Sequence, residues 1–216
     1  MKPLLLGSRS PRRAELLARA GFVFTAFDPP YADPANPNDA QSTLGGPALA
    51  EQLAQRKAAS VLAGDLPKKA VLLTADTLVV APDGGLLGTP ETAAEAADML
   101  RVLRDATHVI ATGVCLRDRV GDGEEETESF VATALVTFGS LDDAMIEAYV
   151  AGAGWQGKAG GYNLEERLHD GWPVTVVGEP EAVMGLPLAA LIPRLVARGI
   201  HPLEASLAGE VSHGQA

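Results

Sequence analysis

Two arginines at the start of a helix are electrostatically misplaced, and Leu4-Leu5-Leu6-Gly7-Ser8-Arg9-Ser10-Pro11-Arg12-Arg13 places a pair there. The apolar run stops at Gly7. Ser10 suits a helix N-cap and Pro11 the first helical position, where a missing N–H costs nothing. Arg12 and Arg13 then fall in the first turn, which already carries partial positive charge. A bound anion, phosphate being the usual one, would offset that repulsion. The alternative is two solvated arginines on an ordinary helix.

Asp76 stands inside the apolar run Val71-Leu72-Leu73-Thr74-Ala75-Asp76-Thr77-Leu78-Val79-Val80. A carboxylate there is costly to bury unless it is paired, binds a metal or faces a cleft. It reads as a functional acid or base, against the alternative of an Asp that buttresses a loop. Glu51 and Lys57 belong to one expected helix. The rotation between them leaves their Cα positions roughly 120° apart, so only their long side chains can share a broad cleft. Each also reads as a solvated helix residue. Gln156-Gly157-Lys158-Ala159-Gly160-Gly161-Tyr162 is a glycine-rich loop with one lysine. Freed backbone N–H groups and Lys158 would suit an anion, and a plain turn fits equally. No Walker A or dinucleotide motif is present, and the four histidines lack metal-ligand spacing.

The elements that must hold these residues alternate. Strands are expected over 4–7, 22–27, 71–80, 107–117, 128–138 and 174–177. Helices are expected over 11–20, 47–63, 92–103, 142–150 and 188–198. In the strand 128–138, Phe130, Ala132, Ala134, Val136 and Phe138 share one face at period two. Residues 28–46 read as a loop, 121–126 as an acidic hairpin tip, and 154–171 as glycine-rich and irregular. The class is α/β with a mixed sheet. Residues 1–204 are expected to form a single domain and 205–216 a disordered tail.

The 216-residue chain is 47% apolar, so it can bury its own core. Its net charge of −11 argues against duplex nucleic acid as a partner. A local cluster of Arg and Lys can still make a nucleotide site. One cysteine, Cys115, allows neither an internal disulfide nor a Cys-based zinc site. No signal-peptide pattern and no membrane-length apolar stretch is evident, so a cytoplasmic protein with no membrane partner is expected.

Taken in order over about residues 3–200, these segments resemble the Maf family of nucleoside triphosphate pyrophosphatases. The carriers are Ser8-Arg9-Ser10-Pro11-Arg12-Arg13-Ala14-Glu15-Leu16-Leu17, Glu51 with Lys57-Ala58, and Ala75-Asp76-Thr77. Further matches are Leu87-Gly88-Thr89-Pro90, the strand from His108 to Val114, Lys158-Ala159-Gly160-Gly161-Tyr162 and Met184-Gly185-Leu186-Pro187-Leu188. The resemblance implies an elongated mixed α/β sheet with flanking helices, two lobes around a central cleft, and a homodimer. It implies hydrolysis of a canonical or modified nucleoside triphosphate to the monophosphate and pyrophosphate, assisted by a divalent cation, Mg²⁺ or Mn²⁺. Asp76 takes the proton-acceptor position. Arg12, Thr77 and Glu165 fall where the family sets activity or substrate choice. Two positions depart from the pattern: Thr89 replaces a usual lysine, and Glu165 stands where the branch preferring dTTP and UTP has glutamine and a branch preferring 7-methyl-GTP has glutamate. Since that second branch usually lacks the Ala75-Asp76-Thr77 form, the resemblance leaves both base preferences open.

On this reading Ser8, Arg12, Arg13, Lys57, Thr77, Lys158 and Glu165 contact the nucleotide. Glu51 and Asp76 are candidate metal ligands, and Asp76 activates water for attack at the α-phosphorus. The rival function is a non-catalytic nucleotide-binding regulator of septum formation and cell division. Asp76 separates the two, because a pure binding site gains nothing from a buried anion beside a polyanion.

Overall fold

The computed structural model describes residues 2–32, 44–62, 64, 66–120 and 124–203. The expected tail, the centre of the loop at 33–43 and the hairpin tip at 121–123 lie outside these residues. Strand β1 (Leu4–Gly7) runs into helix α1 (Pro11–Arg19), and the chain returns as β2 (Thr25–Phe27), parallel to β1. Helix α2 (Gly46–Ser60) precedes β3 (Val71–Val80), which lies parallel along the other side of β1. A turn at Asp83-Gly84-Gly85 folds β4 (Leu86–Leu87) back onto the end of β3. Helix α3 (Ala93–Leu103) follows, its first turn capped by the Thr92 hydroxyl accepting from Glu95 N–H.

Two long antiparallel strands come next, β5 (Ala106–Val120) and β6 (Glu124–Phe138). Helix α4 (Asp143–Ala151), α5 (Leu164–His169), β7 (Val174–Val177), α6 (Pro180–Val183) and α7 (Leu188–Ala197) complete the chain. The strand order is β2-β1-β3-β5-β6-β7, with β4 beside β3, so the sheet is mixed as expected. Among the described residues, no helix is long and apolar enough to cross a membrane.

Strand alternation divides the core. Val71, Leu73 and Ala75 of β3 with Val114 and Leu116 of β5 pack against Leu16 and Leu17 of α1 and Leu191 and Leu195 of α7. Farther along the same face, Val79 and Ile110 join α3, Tyr149 of α4, Phe138 and Trp172 in a second apolar cluster. Thr77 and Thr112, in register on neighbouring strands, occupy the gap between these clusters. This is the physical form of the expected two lobes: one sheet, two cores on one face, and a polar seam between them.

Helix α2 covers the opposite face, packing Leu53 and Ala54 against Leu78 and Leu72. Its approach is very close at Gly113, where any Cβ would overlap the Ala50 carbonyl. The Thr74 hydroxyl donates to Ala54 O at 2.7 Å. Buried Arg117 donates to Ala58 O and Val61 O, satisfying carbonyls at the end of α2.

Three expectations need correction. Strands β5 and β6 extend well beyond 107–117 and 128–138, because their polar outer ends still pair in register. The segment 154–171 is not irregular throughout: Asn163 Oδ1 accepts from Glu165 N–H and Glu166 N–H and starts α5. The short α6 was not expected; it supplies a carbonyl to the seam described below.

Candidate active site

Strand β1 pairs with β3 only as far as Leu73, and β4 begins pairing at Val79. Among the described residues, 74–78 of β3 thus have no strand partner on that edge. A cleft of about 650 Å³ opens beside this edge, just past the end of β1. Its lining includes the Gly7–Arg13 segment, Asp28, Tyr31, Lys57, Thr89, Lys158, Asn163 and Glu166. Ligands in open α/β sheets sit at such strand ends, where the chain order reverses.

Asp76 and Lys57 meet under the cleft. The Lys57 ammonium donates to Asp76 Oδ1 at 2.5 Å, and both residues are 8% exposed. Lys57 comes from the last turn of α2, which Gly113 admits close to the sheet. Lys57 also lies 5.9 Å from the centre of the Tyr31 ring. The buried carboxylate therefore has its cation, as burial demands, and that cation borders the cleft.

Helix α1 points its N-terminus at the same space. Ser10 holds the N-cap position but makes no side-chain cap, and the first turn has no acidic residue. Its N–H groups thus remain suited to an anion. The two arginines divide. Buried Arg13 donates through Nε to Gly185 O at 2.9 Å, and through its two Nη atoms to Ser8 Oγ at 3.2 Å and Thr77 Oγ1 at 3.1 Å. Half-buried Arg12 makes no hydrogen bond or ion pair among the described residues, and it lines the cleft.

A second cavity of about 240 Å³ adjoins the first, sharing Ser10, Arg12, Arg13, Thr89 and Gly157. Its walls are mixed: Val79, Ile110, Leu164, Val183 and Met184 supply apolar side chains, and Ser10, Arg12, Arg13, Thr77 and Thr89 supply polar ones. Tyr162 is fixed from behind by His108, whose Nε2 lies 2.7 Å from the phenol oxygen. Burial pushes His108 down to about 4 and raises the Tyr162 phenol, so both are neutral near pH 7.

The first cavity gathers Arg9, Arg12, Arg13, Lys57 and Lys158 against Asp28 and Glu166. In a chain of net charge −11, the cleft is thus a local positive site. Lys158 donates to Glu166 at 2.6 Å across its rim. Ser8, Arg12, Arg13, Lys57 and Lys158 line the first cavity, and Thr77 lines the second.

Three expected site residues line neither cavity: Asp76, which reaches the first cavity only through its partner Lys57, Glu165 and Glu51. Glu165 is exposed beside Arg19, at 3.4 Å, and lines neither cavity. Glu51 accepts from the Ser129 hydroxyl at 2.5 Å and also lies outside both linings. Sequence reasoning missed Asn163 and Glu166. Their signal is the spacing of a helix cap, Asn163 followed three residues later by Glu166. Thr89 lines both cavities, so the departure from lysine falls on the site itself.

Among the described residues, no group of three or more His, Cys, Asp or Glu side chains is placed to hold a metal ion. Mg²⁺ needs only one or two carboxylates when phosphate oxygens complete its shell. Asp76, beneath the cleft, fits that requirement for a cation carried in on a triphosphate.

The family model described as Maf-like protein matches residues 3–197. A protein of Salinibacter ruber named dTTP/UTP pyrophosphatase is 40% identical over 95% of this chain and 96% of its own. Proteins of the same name from Porphyromonas gingivalis and Moorella thermoacetica are 36% and 39% identical, covering 87% and 93% of this chain and 90% and 97% of theirs.

Proposed function

The chain belongs to the Maf-like protein family, and from that membership we propose that it hydrolyses nucleoside triphosphates, dTTP and UTP foremost, to the monophosphate and pyrophosphate. The observation that carries this reading is the Lys57–Asp76 pair lying beneath a cation-lined cleft that the open N-terminus of α1 also faces. The names of the relatives support the pyrimidine preference.

The triphosphate lies in the first cavity, where Arg12, Lys57, Lys158 and the N–H groups of α1 neutralise it. Arg13 is committed to Gly185, Ser8 and Thr77, and it fixes the junction between the two cavities. The base enters the second cavity, between Val79, Ile110 and Leu164 with Thr77 at hand. Asp76 accepts a proton from water as the water oxygen bonds to the α-phosphorus. The bond from that phosphorus to the α–β bridging oxygen breaks, and pyrophosphate leaves with the bridging oxygen. Lys57 holds Asp76 in place while facing the phosphates. A divalent cation on the triphosphate, with Asp76 as its protein carboxylate, would withdraw charge from the phosphate oxygens.

A homodimer and a cytoplasmic location complete this reading; light scattering on the purified protein tests the first. The activity is tested by pyrophosphate release from UTP, dTTP, CTP, GTP and 7-methyl-GTP, with and without Mg²⁺ or Mn²⁺. Preferential release from UTP and dTTP is expected. Absence of release from every nucleotide, with binding intact, would return the chain to the regulator reading.

A further inference from the structure

The hydrogen bonds of the seam have a readable direction. The Thr112 hydroxyl, fully buried in β5, donates to Ala182 O at 2.8 Å. A hydroxyl has one proton, so the 2.9 Å contact between Thr112 and Thr77 must use the proton of Thr77. Thr77 Oγ1 in turn accepts from Arg13, whose guanidinium has only donors. The chain therefore runs one way, from a cation that can only donate, through two hydroxyls, to a carbonyl that can only accept. Gly185 closes over it, its backbone at φ +104° leaving ordinary-to-tight room beside Arg13 and Thr77.

One consequence concerns the ligand. Thr77 lines the second cavity, but its proton is already committed to Thr112. Toward the cavity it can offer only a lone pair.

We propose that Thr112 is a specificity-determining positioning residue: it fixes the Thr77 hydroxyl as an acceptor, so the second cavity favours bases that present an N–H there. Uracil and thymine carry a proton on N3, whereas cytosine has a lone pair at that atom. Two facing lone pairs leave both groups unsatisfied, a penalty worth roughly fivefold to a hundredfold in discrimination. The inference rests on the proposed function, with the base seated in the second cavity.

The test compares kcat/KM for UTP and CTP in the wild-type protein, Thr112→Val and Thr112→Ser. Valine keeps the shape but removes the acceptor, so Thr77 regains a free proton and can satisfy cytosine. The UTP-to-CTP ratio should fall about fivefold or more in Thr112→Val and stay near wild type in Thr112→Ser. A general loss of stability would lower both substrates together and leave the ratio alone. Should Thr112→Val not fold, Thr77→Val removes the acceptor itself and should bring UTP and CTP close to parity. If the wild type prefers UTP and neither valine variant moves the ratio, this inference falls and the proposed function stands. If the wild type hydrolyses no nucleotide, both fall.

Discussion

Asp76 and Thr77 are neighbours in the chain and stand on opposite faces of the sheet, each paired with a cation that lines the cleft. Asp76 meets Lys57 of α2 on one face, and Thr77 meets Arg13 of α1 on the other. Strand alternation imposes the separation. The open edge of β3 between Leu73 and Val79 reverses it, because a ligand lying along that edge reaches both sides.

Asp76→Asn is expected to lower kcat by about 10²–10⁴-fold, the usual worth of a general base, while nucleotide binding survives. Asparagine preserves an acceptor for Lys57 but removes the charge set against its ammonium, so the melting temperature should also fall. Steady-state kinetics together with binding of a non-hydrolysable triphosphate check this. Turnover within tenfold of wild type would remove Asp76 from the role.

The two arginines of α1 should behave differently. Arg12→Ala removes a cation from a helix N-terminus and breaks no bond among the described residues. The ligand-free protein should keep its melting temperature or gain slightly, by up to about 1 kcal/mol, while KM rises. Arg13→Ala strips Gly185 O, Ser8 and Thr77 of a donor and should lower the melting temperature as well. Equal melting temperatures for the two variants would contradict the division.

Gly113→Ala probes how Lys57 reaches Asp76. The added methyl collides with the Ala50 backbone, so α2 must lift from the sheet. A stability loss of at least ~1–3 kcal/mol is expected, the scale of an overpacked core, together with loss of turnover. Chemical denaturation reads the first and pyrophosphate release the second.

His108 should make the protein acid-sensitive. Burial lowers it to about 4, and in the unfolded chain it titrates near ~6.5. Between these values the unfolded chain binds a proton that the folded one refuses, so stability falls as pH drops through that window, by up to about 3 kcal/mol in all. His108→Gln keeps a partner for Tyr162 and removes the titration. Its melting temperature should fall less between pH 7 and pH 4.5 than that of wild type, and parallel curves would refute the assignment.

Glu165→Gln should leave the ranking of UTP, dTTP, GTP and 7-methyl-GTP unchanged, because Glu165 faces Arg19 rather than either cavity. A reordered ranking would place Glu165 against the base after all.

What the sequence disclosed and what it hid follow from geometry. A lone carboxylate in an apolar strand marks itself, so Asp76 was legible, as were the alternating face of β6 and the proline-led start of α1. Arg12 and Arg13 read alike in the sequence, but one residue turns a helix by about 100°. That sends Arg13 inward to Gly185 and leaves Arg12 facing the cleft. The same rotation in α5 brings Glu166 to the cleft rim and carries Glu165 away from it. Reading 154–171 as irregular hid that rotation, since without a helix there is no side to assign. The Thr77–Thr112 contact was illegible for a different reason: it depends on the register of β3 against β5, which no local pattern states.

The gap between the two apolar clusters has a mechanical meaning. The clusters share strands β3 and β5 but are joined there by threonines rather than by packed side chains. A nucleotide lying between Arg13, which belongs to one side, and Leu164, which belongs to the other, would act as a removable cross-link. Calorimetry should then record a sharper as well as a higher unfolding transition when ligand is bound, since the halves it bridges must come apart together.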